Sequence, residues 1–395
     1  MLRYVDIKNF KSIGASTVFL RRFNVLVGPN GAGKSNFLKA LGFMSDCLES
    51  SVATALSRKG GIKAVRRRSQ GHPYNIKFRI CADLDTDYWA DYEFEISAGP
   101  SQDYRVKNEK CKISRALLEA EFEVSEGEFI KPVRGMRPKI GSDRLALPLV
   151  SAVEEYRAIF DFITGMKFYS LSPEKIREFQ EPDIGKSLKW DGSNAASVLH
   201  DLKQREPKKY ERVCGLLERI VPGAKSAYYA SVGQMATIEF KQDVGDKAPW
   251  TFPAMSMSDG TLRVLGILLA VYQNQSPTLI GIEEPESTIH PAASDVLIDI
   301  LKDGTNFSQI IITTHSPDIL DHKDIKDDEI HVVESRQGNT VISPLASSSR
   351  KAIHERLYTA GDLLKMGELH PDYDAAESAK NNLPSFGEPL EFEGL

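Results

Sequence analysis

The sequence predicts an α/β fold around a mixed central sheet, with an antiparallel β meander and a mainly helical insert. Three observations carry this. Uninterrupted apolar runs at Val25-Leu26-Val27, Leu279-Ile280-Gly281-Ile282 and Gln309-Ile310-Ile311-Ile312-Thr313 suit central parallel strands covered on both faces. From about 72 to 135 apolar residues recur at period two, as in Ile76, Phe78, Ile80, Ala82 and Leu84, which fits an antiparallel meander with one wet face. From about 150 to 222 the spacing turns helical.

Taken in order, Tyr4 to Phe10 alternates like a strand and leads through Lys11-Ser12 to the first apolar run. A glycine-rich loop follows, and helix-forming residues predict a helix from Ser35 to about Ser50. Tyr92, Phe94, Ile96, Phe122 and Val124 continue the meander. Tyr210, Val213, Leu217 and Ile220 line one helix face, with Pro207 in its first turn and Pro222-Gly223 as its stop. A strand pair is expected near 225–241, and an apolar helix over Leu262–Val271. The tail after about 345 is richer in Ser, Pro, Gly and acids, and its last dozen residues are expected to be mobile.

Composition narrows the class. With 395 residues, 41% hydrophobic and 27% charged, a large core is expected and global disorder is not. No apolar stretch approaches the roughly 18 residues of a membrane span, and the start shows no signal-peptide pattern. Cys47, Cys81, Cys111 and Cys214 are scattered, which suits reduced thiols in a cytoplasmic protein rather than a zinc site. A net charge of −5 leaves nucleic-acid contact to a local patch, of which Arg66-Arg67-Arg68, with Arg58, Lys59 and Lys63 nearby, is the candidate.

The chemistry concentrates in five motifs. Gly28-Pro29-Asn30-Gly31-Ala32-Gly33-Lys34-Ser35, followed by Asn36, is a complete phosphate-binding loop between a strand and a helix. Its glycines let the backbone approach a polyphosphate, Lys34 would reach the β- and γ-phosphates, and the Ser35 hydroxyl would ligate Mg²⁺. Ser258-Asp259-Gly260 opens an apolar helix, where it is either an anion site or a plain N-cap. Glu283 and Glu284 end a buried strand: the first would hold Mg²⁺, the second would orient an attacking water. In the remaining two, Ser287-Thr288-Ile289-His290-Pro291 and Thr313-Thr314-His315-Ser316-Pro317, His315 at a strand end is a candidate γ-phosphate donor, and His290 is equally a structural residue.

This order of motifs resembles the ABC-type ATPase heads of the SMC, RecF and OLD group, nearest to standalone OLD-like bacterial ATPases that lack a Toprim nuclease domain. The likeness spans about residues 1–345, and Asp191-Gly192-Ser193-Asn194 with Val198-Leu199 also looks like that branch's insert. It implies an ABC-type P-loop ATPase head that binds ATP and Mg²⁺ and pairs head-to-tail as a homodimer or higher even oligomer. Ser258, Asp259 and Gly260 correspond to the signature that meets the ATP of a second head. Glu283 corresponds to the Walker B carboxylate, Glu284 to the catalytic glutamate, Glu286 to Ile289 to the D-loop and His315 to the switch histidine. Lys11 stands where the family often carries a basic residue close to the nucleotide. Ser-Asp-Gly-Thr in place of Ser-Gly-Gly-Gln, and Glu as the Walker B acid, are usual in the OLD-like branch and argue against a transporter ATPase. The Q-loop glutamine has no clear counterpart; Gln180 is the candidate.

The implied division is an N-terminal ATPase lobe over 1–55, the meander over 56–150, the insert over 151–250, a C-terminal ATPase lobe over 251–345 and a tail over 346–395. The expected role is a cytoplasmic ATPase switch that gates a separately encoded effector, such as a Toprim-type nuclease, in bacterial anti-phage defence. The alternative is a RecF-like repair ATPase on DNA ends or junctions. Glu334 with Asp372 and Asp374 superficially matches a nuclease acid set, but too little chain follows for that domain, so they are expected to be surface acids.

Overall fold

The computed structural model describes residues 1–69, 75–99, 103–115, 118–290 and 293–388. In chain order, strands β1 (Leu2–Phe10), β2 (Ile13–Phe19) and β3 (Phe23–Val27) precede helices α1 (Lys34–Glu49), α2 (Val52–Arg58) and α3 (Ile62–Val65). The meander follows as β4 (Asn75–Asp85), β5 (Tyr88–Ala98), β6 (Tyr104–Arg115), β7 (Leu118–Ser125) and β8 (Glu128–Lys131). Then come α4 (Leu147–Val150), α5 (Glu154–Thr164), β9 (Lys167–Tyr169), α6 (Pro173–Arg177), α7 (Ala195–Arg205) and α8 (Pro207–Ile220). Strands β10 (Ala224–Val232), β11 (Met235–Gln242) and β12 (Trp250–Pro253) lead to α9 (Asp259–Tyr272), β13 (Leu279–Glu283), α10 (Ser294–Gly304), β14 (Gln309–Thr314) and α11 (Pro317–Leu320). The chain closes with β15 (Ile330–Arg336), β16 (Asn339–Pro344), α12 (Ser347–His354), α13 (Ala360–Met366) and α14 (Tyr373–Asn381).

Two units result. The first comprises Met1–Met166, Lys326–Tyr358 and Leu363–Leu395. Its larger sheet is seven-stranded, in the order β2-β1-β4-β5-β6-β7-β8, and antiparallel throughout. Ile76, Phe78, Ile80 and Ala82 are buried, as their alternation requires. Phe78 meets Phe10, Phe43 of α1 and Phe94, with ring centroids 5.6, 5.9 and 5.2 Å apart, so an aromatic cluster fixes the helix to this face. The other face carries cross-strand ion pairs such as Lys77–Glu93 at 2.8 Å and Lys110–Glu123 at 2.9 Å, as a wet face should. In the same unit β15 pairs parallel with β3 and antiparallel with β16.

Toward β1 the ion-paired face is buried, with Tyr4, Asp6 and Cys81 inside. Arg79 and Asp91 are both buried and form a bidentate pair at 3.0 and 2.7 Å. Two further guanidinium N–H groups donate to the Pro384 and Ser385 carbonyls at 2.9 and 3.0 Å, and Gly387 N–H donates to Asp91 at 2.9 Å. Residues 384–388, expected to be mobile, are therefore pinned, because a buried guanidinium must find acceptors for its donors. Residues 389–395, the rest of the segment expected to be mobile, lie outside the described residues.

The second unit comprises Lys167–Ile325 and Thr359–Asp362. Here β13 pairs parallel with both β14 and β9. The continuous apolar runs explain why: every residue of β14 and all but the last of β13 are inside. The reading of 150–222 as helical missed β9, whose three residues are too few to show a period. The expected strand pair near 225–241 is β10 with β11, to which β12 adds. Gln180 is buried, and its side chain accepts from Ala196 N–H at 2.9 Å and donates to the Ile176 carbonyl at 3.0 Å. Its amide thus joins α6 to the start of α7.

Two outcomes test the first unit. Phe78→Ala, which empties the centre of the aromatic cluster, is expected to lower unfolding free energy by about 3–5 kcal/mol in urea titration. Glu109 is wholly buried beneath α4, where it accepts from the Ala146 and Leu147 N–H groups and from Tyr92 Oη. Burial pushes its carboxyl up to about 7, against the opposing effect of those donors. Its folded value stands above the unfolded one, so its contribution is full below about pH 4.5 and is lost as pH rises through about 7. Urea titrations at pH 5 and pH 8 are expected to show that loss, and Glu109→Gln is expected to flatten it.

Candidate nucleotide site

The phosphate loop lies in the first unit between β3 and α1, as its sequence requires. Its shape follows from close approaches. A Cβ on Gly28 would sit 2.0 Å from the Val333 carbonyl oxygen, and one on Gly33 would sit 2.1 Å from Thr340 Oγ1. Gly31 has φ 78° and nothing within 4 Å of a built Cβ, so it is the open position of the loop. Gly33, at φ 108°, is the N-cap of α1 and gives it no side-chain hydrogen bond. That helix end, with its dipole, suits an external anion.

Behind the loop runs an ordered relay of donors. Asn36 Nδ2 donates to Ser12 Oγ at 2.7 Å, Ser12 Oγ lies 2.7 Å from Thr340 Oγ1, and Thr340 Oγ1 donates to the Ala32 carbonyl at 2.9 Å. Since Thr340 gives its proton to Ala32, the Ser12 hydroxyl donates to Thr340 and its oxygen remains the acceptor for Asn36. Thr340 belongs to β16, far along the chain, and no sequence signal pointed to it. Lys34 is 6% exposed, and its ammonium donates to the Gly28 and Pro29 carbonyls at 2.7 and 3.1 Å. Asn30 is exposed and Ser35 half-buried. Lys11 has φ 47°, and burial together with Lys39 and Lys59 lowers its ammonium pKa.

The basic cluster divides. Arg67 donates to the carbonyls of Ser12 and Gly338 and to Asn339 Oδ1, which also accepts from Gly14 N–H at 2.8 Å. Its guanidinium ties two turns together and is withdrawn from the surface patch. Arg66 is half-buried, and Arg68 is exposed.

In the second unit Ser258 is the N-cap of α9: its Oγ accepts from Thr261 N–H at 3.2 Å. Asp259 pairs with Arg177, which also donates to the Met257 carbonyl at 3.1 Å. A Cβ on Gly260 would meet the Thr288 carbonyl at 2.7 Å. Glu283 is the last residue of β13, and Glu284 turns away from it with φ 45°. The Glu284 N–H donates to Thr313 at both its carbonyl, 3.0 Å, and its hydroxyl, 3.2 Å. The Glu284 carboxylate, 39% exposed, lies 3.6 Å from His315 Nδ1 and 3.4 Å from Ser287 Oγ. Glu286 accepts from Thr314 Oγ1, and burial raises its carboxyl pKa. His290 is exposed; Pro291 lies outside the described residues.

The donor sets fit the expected groups. A glycine cradle with a buried lysine fits a triphosphate. The Ser35 hydroxyl in the first unit and the Glu283 carboxylate in the second are each hard oxygen donors of the kind Mg²⁺ takes. A further group, Asp299, His322 and Asp324, has ligand atoms within 4.8 Å of one another. There, Asp324 N–H donates to His322 Nδ1 at 3.3 Å. His322 Nε2 lies 3.6 Å from Asp299 Oδ1. Among the nuclease-like acids, Asp372 is the N-cap of α14, with its carboxylate accepting from Ala375 N–H at 2.9 Å.

Comparison with known proteins gives the family and the fold. The model of a family described as "AAA domain, putative AbiEii toxin, Type IV TA system" matches residues 23–321. The Old nuclease of Escherichia phage P2 is 24% identical over 360 residues, covering 82% of this chain and 57% of that protein. The chain thus spans little more than half the length of that curated relative. Structural maintenance of chromosomes protein 4 of Caenorhabditis elegans is 28% identical over 165 residues, 36% of this chain and 11% of that protein. Among solved structures, an Smc head bound to the C-winged helix domain of ScpA superposes with a TM-score of 0.57 at 14% identity, over 89% of this chain and 99% of that one. A Pyrococcus furiosus Smc head with an extended coiled coil, bound to the C-terminal domain of ScpA, gives 0.53 at 14% identity, over 90% and 99%. The fold is that of an SMC-type ATPase head. No described helix is long and apolar enough to cross a membrane.

Lys34→Ala is expected to weaken ATP binding by about tenfold to a hundredfold, the weight of its charge-assisted hydrogen bonds. Titration calorimetry checks this, and unaltered affinity would remove the loop from the site.

Proposed function

The chain belongs to the P-loop ATPase family described as "AAA domain, putative AbiEii toxin, Type IV TA system", and on that premise we propose that it hydrolyses ATP with Mg²⁺ as a head-to-tail pair and gates a separately encoded effector in bacterial anti-phage defence. The carrying observation is the Glu284 turn, which presents a half-exposed carboxylate beside His315 at 3.6 Å. In this reading Lys34 binds the β- and γ-phosphates, and Ser35 and Glu283 hold Mg²⁺, which neutralises phosphate charge when bound. Glu284 orients and deprotonates the attacking water, a role that typically supplies about 10²–10⁴ in rate. His315 donates to the γ-phosphate, and Lys11 adds positive charge near the nucleotide. Ser258, Asp259 and Gly260 meet the nucleotide held by a second copy.

The position of Ser258 is compatible with this reading, although its hydroxyl already caps α9. It stands exposed at the N-terminus of a long apolar helix, and serving as N-cap leaves the end of that helix facing outward. The division at 1–55, 56–150, 151–250, 251–345 and 346–395 assigns the insert to effector contact. The effector is a separate protein, a Toprim-type nuclease being one candidate, and the complex is cytoplasmic.

A second reading, a RecF-like ATPase on DNA ends, rests on the exposed cations Arg58, Lys59, Lys63 and Arg68. It is weakened by the engagement of Arg67. Hydrolysis stimulated by duplex DNA favours it, whereas hydrolysis altered only by the effector favours the first.

Glu284→Gln is expected to retain ATP affinity, to lose about 10²-fold or more in turnover, and to accumulate ATP-bound dimers. Sedimentation at micromolar protein with ATP checks the last point, and a variant that stays monomeric there refutes the sandwich.

A further inference from the structure

The segment that carries Glu284 is built from two residues in a disfavoured conformation. Glu284 has φ 45° and Thr288 has φ 66°. A β-branched residue at positive φ is strained, and such strain persists only where surrounding structure holds it. Two internal hydrogen bonds shape the turn: Ser287 N–H donates to the Glu284 carbonyl at 3.1 Å and Ile289 N–H to the Glu286 carbonyl at 3.0 Å. These are short-range bonds, and they do not hold it against the rest of the unit.

β14 holds it through the Glu284 N–H on Thr313 and the Glu286 carboxylate on Thr314 Oγ1, and two contacts from α9 add to that. The Arg263 guanidinium donates to the Glu284 carbonyl at 3.3 Å and to the Leu171 carbonyl at 3.1 Å. Gly260, one turn earlier, leaves just enough room for the Thr288 carbonyl, since a Cβ there would sit 2.7 Å from it. The Glu284 peptide groups are thus held from two sides, with the N–H on Thr313 of β14 and the C=O on Arg263 of α9. Burial lowers the Arg263 pKa while Glu286 and Glu284 oppose that effect, so the guanidinium sits in a partly dry, acidic surrounding. Both contacts come from the first two turns behind Ser258, the N-cap of the same helix.

We propose that Arg263 is a positioning residue that, with Gly260, couples the Ser258–Gly260 helix tip to the Glu284 carboxylate within one chain. Displacement of that tip by a phosphate bound to it moves the Arg263 anchor and the Thr288 contact together. The left-handed turn, and with it the catalytic carboxylate, follows. Arg263 does not touch substrate; it acts through the backbone of Glu284. This inference rests on the ATPase reading, and it makes the helix tip a regulator of hydrolysis as well as a ligand of the opposing nucleotide.

The test uses the full chain with Arg263→Gln and Arg263→Lys. In Arg263→Gln, kcat is expected to fall about tenfold or more while the Kd for ATP stays within about twofold, the pattern of a lost positioning bond. Arg263→Lys, which keeps the charge and can reach one of the two carbonyls, is expected to recover part of kcat. Hydrogen exchange without nucleotide is expected to show faster exchange at the Ser287 and Ile289 amides of Arg263→Gln. That readout needs no turnover: if the wild-type chain fails to hydrolyse ATP, the ATPase reading falls while exchange still decides the coupling. A folded Arg263→Gln chain with wild-type exchange in 284–289 overturns the proposal, as does a kcat loss matched by an equal loss of ATP affinity. Should thermal melting show that Arg263→Gln does not fold, the same two readouts on Arg263→Lys decide.

Discussion

Close backbone approach is the constraint on which the phosphate loop depends. The loop keeps its curve because the strand and turn behind it leave no space for side chains at Gly28 and Gly33. The same contacts bring Thr340 close enough to hold the Ala32 carbonyl. Steric exclusion and hydrogen bonding thus act on one short segment from one side, leaving the other side for a ligand. A loop so braced loses little further entropy on binding, which is the physical content of preorganisation.

The second unit applies the same logic to charge. Glu284 and Glu286 lie two residues apart, and they are kept distinct by environment. Glu286 is largely buried, accepts from Thr314 and is pushed toward its neutral form. Glu284 projects to where solvent and His315 reach it. A strand end that drops into a left-handed turn at Glu284 leads the two carboxyls into these different surroundings. The cost is local strain, carried by β14 and α9.

Much of this was legible in the sequence, for identifiable reasons. The buried strands β3, β13 and β14 announced themselves by unbroken apolar runs, the meander by strict alternation and the phosphate loop by fixed spacing. Ser258 was readable as an N-cap, and α1 was placed to within a residue at either end. What stayed hidden depends on residues distant in the chain. Thr340 behind the loop, Arg67 across two turns and Arg263 on the Glu284 carbonyl have no local pattern, since each is defined by the partner it reaches. β9 was hidden because three residues show no period. The pinned segment 384–388 was hidden because a Ser-, Pro- and Gly-containing tail reads as mobile from its composition, even where its carbonyls are needed by a buried cation elsewhere.

That last feature bears on how the end of the chain is treated in any experiment. The Arg79–Asp91 pair is buried on the face that carries the cross-strand ion pairs, and the carbonyls of Pro384 and Ser385 accept from its guanidinium. Trimming the polypeptide ahead of Pro384 would strip acceptors from a desolvated cation in the middle of a seven-stranded sheet. The penalty would be felt at β4 and β5, whose sequences remain untouched. What looks like a dispensable appendage is, in energetic terms, part of the sheet.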